Sequence, residues 1–326
     1  MMERTPQSPP TIPRLAPGTK RPLWSVMIPS YNCLGYLKIT LENVLQQAPD
    51  ADKMQIEVVD DYSTDGDVQA LVEEIGQGRV HFFRQEQNVG SLRNFETCIN
   101  RAQGQLVHIL HGDDFVAEGF YAEIERLFES FPDAGAAFTD YIYVDEYGNL
   151  IQSAKKLLEE PGLLPNWVTT LAQGQCVQFP AMVVKRSVYE NLGGFYGVHY
   201  GEDWEMWTRI AAHYPVAHSP KALAMYRVHG TNISSNTYLS GQCIRDTSKV
   251  IDLIQQYLPM EQRAQLREQC RRNYAIYYAK MANKLYKATK NRKAALKQAY
   301  DALRLHANSD TIKLFSKIFI KTLIRY

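Results

Sequence analysis

Between Leu23 and Asp114 the sequence alternates short apolar runs with stretches whose apolar residues recur at helical spacing. That alternation restricts the possible folds more than any other feature. "LWSVMIP" precedes "YNCLGYLKITLENVLQQ", and "MQIEVVDD" precedes the polar turn "YSTDGD" and then "VQALVEEIGQG". "RVHFFRQ" precedes "SLRNFETCINRAQG", and "QLVHILHGDD" closes the series. Strands that alternate with helices in this way predict an α/β fold with a mostly parallel, Rossmann-like three-layer sheet. The later sequence adds strand-like runs in "AGAAFTDYIYVDEYGNL", "CVQFPAMVVKRSVYENLGGF" and "KALAMYRVHG", and reads as helical from about Ile254 onward.

The polar residues fall directly after the strands: Ser30 and Tyr31, then Asp60 and Asp61, then Asp113 and Asp114. Open α/β sheets bind ligands outside the carboxyl ends of their strands, so three such ends on one rim form a candidate site. No G-x-G-x-x-G follows a strand and no G-x-x-x-x-G-K-[ST] occurs, which disfavours a standard dinucleotide fold and a P-loop. A nucleotide held here needs another phosphate anchor, and a cation on carboxylates is the obvious one.

Each candidate has a plain structural reading beside the chemical one. Asp113 and Asp114 can cap the following helix, or hold Mg²⁺ or Mn²⁺, which favour oxygen ligands and need few carboxylates when phosphates share the ion. Asp60 and Asp61 fit an Asx turn, yet Asp61 can accept a hydrogen bond from a base N–H, with Tyr31 stacked on that base. Arg93 is either a solvated helix residue or a phosphate partner. In "GEDWEMWTRI", Glu202 and Asp203 open a helix; beside Trp204 and Trp207 a carboxylate there can act as a general base with a raised pKa. Arg209 either neutralises these acids or solvates the helix, and His229 is a turn residue, a phosphate contact or a metal ligand.

Together, "WSVMIPSYN", "VVDDYSTDGD", "QNVGSLRNFETCINRAQGQLVHILHGDD", "ENLGGF", "GEDWEMWTRI" and "YRVHG" resemble, in order, the motifs of a family 2 glycosyltransferase of the GT-A fold. The resemblance covers roughly residues 23 to 235. It implies inverting transfer of a sugar from a nucleotide-diphosphate sugar, generally with Mn²⁺ or Mg²⁺. Carried over, it makes Pro29, Ser30 and Tyr31 a nucleotide-contacting strand end and Asp61 the acid that reads uracil or a related base. It sets Arg93 toward the donor phosphates, Asp113 on the metal, and Asp203 as the general base beside Glu202 and Trp204. Where the family commonly has Leu-Asp-x-Asp-Asp, this chain has Leu110, His111, Gly112, Asp113 and Asp114. An imidazole in place of the first acid suits Mn²⁺ better than Mg²⁺. His111 is therefore a second candidate metal ligand, and with Gly112 a candidate contact to the donor.

Composition enters through charge. The net charge of +1 divides unevenly: residues 1–250 carry 20 Lys and Arg against 30 Asp and Glu, and residues 251–326 carry 16 against 5. The expected organisation is a flexible lead-in at 1–22, a catalytic domain at 23–240, and a basic helical region at 241–326. "TIKLFSKIFIKTLIRY" spaces Lys313, Lys317, Lys321 and Arg325 four apart among Leu314, Phe315, Ile318, Phe319 and Leu323. This is either a last helix packed on the protein or one lying on an anionic membrane surface, where a lipid-linked saccharide acceptor would be presented. Nucleic acid is not expected as a partner, since no reader module accompanies the basic series. Five cysteines without a CxxC pair, no signal-like start and no run of about 18 apolar residues set the expectation of a cytoplasmic protein, peripheral on the inner membrane face. The competing reading is a nucleotide-sugar-binding or scaffold protein on the same fold, suggested by the altered metal motif.

Overall fold

A computed structural model describes residues 3–230, 232, 237 and 240–323. These residues form two compact units. The first comprises the chain up to Trp167, Cys176–His199 and Arg209–Val228; the second comprises Val168–Gln175, Tyr200–Thr208 and the chain from His229 onward.

The first unit begins with β1 (Trp24–Ser30), α1 (Leu34–Gln47), β2 (Met54–Asp60), α2 (Val68–Gly76), β3 (His81–Arg84), α3 (Ser91–Arg101) and β4 (Leu106–Ile109). It continues with β5 (Phe115–Val116), α4 (Phe120–Ser130), β6 (Ala136–Val144), β7 (Leu150–Ser153) and β8 (Gly162–Leu163). After α5 (Trp167–Leu171) come β9 (Met182–Lys185), α6 (Arg186–Leu192), α7 (Glu202–His213) and β10 (Val216–Arg227). α5 and α7 each contribute residues to both units.

One sheet holds all these strands in the order β3-β2-β1-β4-β9-β6-β10-β5, with β7 on β6 and β8 on β10. β1 is buried along its whole length, as its apolar run requires. It pairs parallel with β2 and with β4, so Ser30 lies opposite Asp60 at the carboxyl rim. The parallel pattern expected from the strand and helix alternation holds for β3, β2, β1 and β4, and again between β6 and β10. β9 differs: it runs antiparallel between β4 and β6. It arrives without a crossover helix, from the short turn Phe179–Ala181, where Phe179 already lies against His111 just beyond β4. A strand entering from that rim must run the other way.

Residues 3–22, expected to be a flexible lead-in, are instead laid along the first unit. Ile12 is buried, the Gly197 and Gly194 amides donate to the carbonyls of Pro6 (2.9 Å) and Pro10 (2.8 Å), and Arg186 donates to Pro13 O (3.2 Å). A proline-rich extended chain makes no internal backbone bonds, so its carbonyls are free to accept from a folded neighbour. Low apolar content concealed this, because Pro6 and one isoleucine are the buried residues of the segment.

The second unit is helical: α8 (Gln242–Leu253), α9 (Met260–Thr289), α10 (Arg292–Leu305) and α11 (Ser309–Leu323). Small residues allow close packing, with Ala275, Ala279 and Ala302 around Tyr278, and Ala282, Ala295 and Ala299 around Tyr286 and Ile318. The break between α9 and α10 is local chemistry: Lys290 turns left-handed at φ 55°, and the Asn291 side chain caps the Ala294 amide at 3.1 Å. The expected boundary at residue 240 therefore shifts. Trp204 donates to Leu171 O at 2.7 Å and packs 5.3 Å from Tyr274, whose hydroxyl accepts from the Gln175 amide at 3.1 Å. These contacts draw two segments of the sequence before residue 240 into the helical unit.

Candidate functional site

The rim of the first unit is organised around Asp61. Its amide donates to Ser30 O at 2.8 Å, joining the ends of β1 and β2. Its carboxylate accepts from the Val89 amide (2.7 Å), the Gly90 amide (2.9 Å) and the Asn88 side-chain amide (2.8 Å). A carboxylate offers about four lone-pair sites, so one remains for a ligand N–H. Burial raises the Asp61 pKa, and the two backbone donors oppose that shift. Asp60 takes the structural part of the pair: it binds Arg84 at 2.9 Å and accepts from the Ser63 amide at 3.1 Å. Tyr31, at the same strand end, is 51% exposed and presents a ring to the rim.

β4 ends in the second cluster. The Gly112 amide donates to Pro29 O at 3.0 Å, and a Cβ at Gly112 would lie 2.8 Å from Cys33 Sγ, so a larger residue there would have to displace the buried Cys33 side chain. His111, Asp113 and Asp114 each offer a ligand atom, and these atoms lie within 4.8 Å of one another. The His111 ring stacks on Phe95 (5.1 Å between centroids) and lies 4.4 Å from Phe179. Its Nε2 is buried without a hydrogen-bond partner, and burial lowers its pKa, which keeps the imidazole neutral and able to ligate. Asp114 Oδ1 accepts from the Arg227 amide at 2.8 Å, while its Oδ2 is buried without a partner. Burial, then the neighbouring Asp113 charge, pushes its pKa well up. Two orphaned buried atoms beside Asp113 fit a divalent cation, and one nitrogen among oxygen donors suits Mn²⁺ better than Mg²⁺.

Arg227 was not singled out from the sequence, although it stands inside "YRVHG". Its Nε donates to Asp113 O at 2.8 Å, and its guanidinium lies 4.9 Å from the Tyr36 and Phe115 rings. It thereby fixes the backbone of the acidic turn from β10. Arg93 stands on α3 with Nε donating to Glu3 O at 2.9 Å and Nη1 paired with Glu96 at 2.6 Å. Two of its five N–H groups are thus held by the protein.

In the second unit, α7 opens on the other acidic pair. Asp203 Oδ1 accepts from the Trp204 amide at 2.7 Å, and Oδ2 accepts from the Gln175 side chain. Burial pushes the Asp203 pKa up to about 7 against both donors, inside the range of a general base. Glu202 is pushed well up by burial, then by the charges of Asp203 and Asp246. Asp246 is itself buried, with Oδ1 accepting from Gln242 at 2.6 Å and Oδ2 unpartnered. Gln175 was missed in the sequence, since it lies 28 positions from Asp203 with no motif around it.

The remaining candidates lie in buried surroundings. Trp204 is buried, with its indole N–H committed to Leu171 O, so it walls Asp203 rather than offering a polar contact. Arg209 falls in the first unit, donates to the carbonyls of Leu192 and Gly194, and lies over Tyr196, which holds the glycine turn after α6. His229 is buried in the second unit.

Residues 25–193 match the model of the family described as glycosyl transferase family 2. A candidate teichuronic acid biosynthesis glycosyltransferase of Bacillus subtilis, TuaG, is 40% identical over 96 residues, 29% of this chain and 37% of that protein. Among solved structures, S. aureus TarS 1–349 in complex with UDP-GlcNAc superposes with a TM-score of 0.66 at 16% identity, covering 93% of this chain and 92% of that one. A mannosyltransferase from Pyrobaculum calidifontis in complex with GDP-Man and Mn²⁺ gives a TM-score of 0.58 at 17% identity, covering 99% and 84%.

Proposed function

The chain belongs to glycosyl transferase family 2 and has the GT-A fold, and on that premise we propose that it transfers a sugar, with inversion, from a UDP-linked donor to a hydroxyl of a saccharide or lipid-linked saccharide. The observation that carries this reading is the rim: Asp61 retains one acceptor site beside the exposed Tyr31, and His111, Asp113 and Asp114 cluster at the end of β4. The first set suits a base and the second suits a cation on a diphosphate. TarS with UDP-GlcNAc and the mannosyltransferase with GDP-Man and Mn²⁺ support the class of donor and the ion. TuaG supports cell-surface polysaccharide synthesis as the setting.

Asp113, with His111, would hold the divalent ion, which when bound stabilises the charge on the departing nucleoside diphosphate. Asp203 removes the acceptor hydroxyl proton while that oxygen bonds to the anomeric carbon; the bond from that carbon to the diphosphate oxygen breaks, and its electron pair leaves with the nucleotide. A single base serving a single displacement inverts the anomeric centre. Incubating the protein and Mn²⁺ with UDP-, GDP- and dTDP-sugars, and measuring binding and slow donor hydrolysis, tests the reading. UDP-sugars should bind and turn over. Binding without turnover, with or without acceptor saccharides, would instead favour a nucleotide-sugar-binding protein.

The C-terminal helix supports a peripheral position on a membrane. Among the described residues no helix is long and apolar enough to cross one. α11 buries Ile318 against α9 and α10, yet leaves Ile312, Phe319 and Ile320 about half exposed beside the exposed Lys313 and Lys317. Arg325 lies outside the described residues. An apolar strip flanked by lysines is complementary to anionic headgroups over an acyl boundary. Sedimentation with phosphatidylglycerol vesicles should fall when Ile312, Phe319 and Ile320 are replaced by Ser; unchanged sedimentation would contradict it.

A further inference from the structure

The N-terminal strap ends on the nucleotide rim. Its far part is tied to the chain before α7, with the Gly194 and Gly197 amides on Pro10 O and Pro6 O, and Thr5 Oγ1 hydrogen-bonded to His199 Nε2. From there Glu3 O accepts from Arg93 Nε at 2.9 Å, and the Arg4 guanidinium donates to Asn88 Oδ1. The same Asn88 turns its side-chain NH₂ to Asp61, at 2.8 Å from Oδ2 and 3.0 Å from the carbonyl oxygen. Arg4 also lies over Gly90, where a Cβ would meet its Nε at 3.1 Å, and the Gly90 amide is another donor to Asp61.

A carboxamide has one oxygen and one NH₂, so a cation fixed on the oxygen decides where the NH₂ points. With Arg4 on Oδ1, the Asn88 donor must face Asp61. Without Arg4 only the Asp61 acceptors hold the amide, so the Asn88 side chain is freer to swing away and its bond to the carboxylate weakens. We propose that Arg4 is a positioning residue of the nucleotide site, fixing the Asn88 amide and thereby the direction of the acceptor that Asp61 offers to the base. This rests on the reading of Asp61 as the base acceptor. The charges around Asp61 agree: burial raises its pKa, Arg4 lowers it, and the neighbouring Asp60, which raises it, is itself paired with Arg84.

Calorimetric titration of UDP with Mn²⁺ into the full chain and into the Arg4→Ala, Arg4→Lys and Asp61→Asn variants tests this. Arg4→Ala should weaken UDP binding about fivefold, in keeping with loss of a charge-assisted bond, with pyrophosphate binding unchanged. Arg4→Lys should restore only part of the affinity, because a point charge cannot reproduce the fork. The ionised Asp61 carboxylate is the stronger acceptor, and Arg4 favours that form. The ratio of wild-type to Arg4→Ala affinity should therefore grow as the pH falls, a trend a purely structural role would not give. UDP affinity and pH profile unchanged in Arg4→Ala, with Asp61→Asn weakened, would overturn the strap's role alone. Wild-type affinity in Asp61→Asn would overturn the reading of Asp61 and the strap's role together.

Discussion

Two pairs of adjacent acids, Asp113–Asp114 after β4 and Glu202–Asp203 at the start of α7, look alike in sequence and differ in their surroundings. In each pair one member is the more enclosed: Asp114 Oδ1 accepts from the Arg227 amide while its Oδ2 stays in the cluster, and Glu202 is buried near Asp246. The other member differs. Asp113 shares its turn with an imidazole and a second carboxylate, whose donor atoms converge within 4.8 Å. Asp203 accepts only neutral donors, the Trp204 amide and the Gln175 side chain, among the bonds described for it. Carboxylates converging with a neutral imidazole suit a cation, whereas a buried carboxylate on neutral donors gains a proton as the pH falls. The identity of an acid pair thus says less about its use than the charge of what surrounds it.

The sharpest way to break this contrast is Asp203→Asn. It should lower donor turnover by about 10²- to 10⁴-fold, the usual range for a general base, in a product assay. Equal turnover would remove Asp203 from the chemistry. A smaller effect is expected from Gln175→Leu. The Gln175 donor favours the ionised form of Asp203, so its loss should raise a pKa already near 7. The rising acid limb of kcat/KM, near pH 7 in the wild type, should move about one unit toward higher pH. An unmoved limb would assign that titration to another group. The mildest change is His111→Asp, which should improve turnover with Mg²⁺ relative to Mn²⁺, since a third oxygen ligand suits the harder ion. An unchanged metal ratio would mean that His111 fills space rather than binding the ion.

The sequence was legible where chemistry is local. The alternation from β1 to β4 gave the parallel half of the sheet, and Asp61, Asp113 and Asp203 stood out as candidates because each follows a strand or lies in the first turn of a helix. The partners that define their roles were not legible, because they come from distant sequence. Arg227 reaches the β4 turn from 113 positions away, Gln175 reaches Asp203 from 28, and Asn88 reaches Asp61 from 27. Arg93 and Arg209 show the same limit: their motifs left open what the guanidinium meets, and in the fold Arg93 donates to Glu3 O and pairs with Glu96 while Arg209 donates to two backbone carbonyls. The strap was hidden because proline-rich chain with one buried isoleucine carries no periodic signal.

The division between the two acid pairs is tested most directly by calorimetric titration of UDP, with and without Mn²⁺, into Asp113→Asn and Asp203→Asn. The account predicts that Asp203→Asn binds UDP as the wild type does and keeps its dependence on Mn²⁺. Asp113→Asn should lose at least about tenfold in affinity with Mn²⁺ present and little without it. Equal weakening of both variants, or full Mn²⁺-dependent affinity in Asp113→Asn, would contradict it.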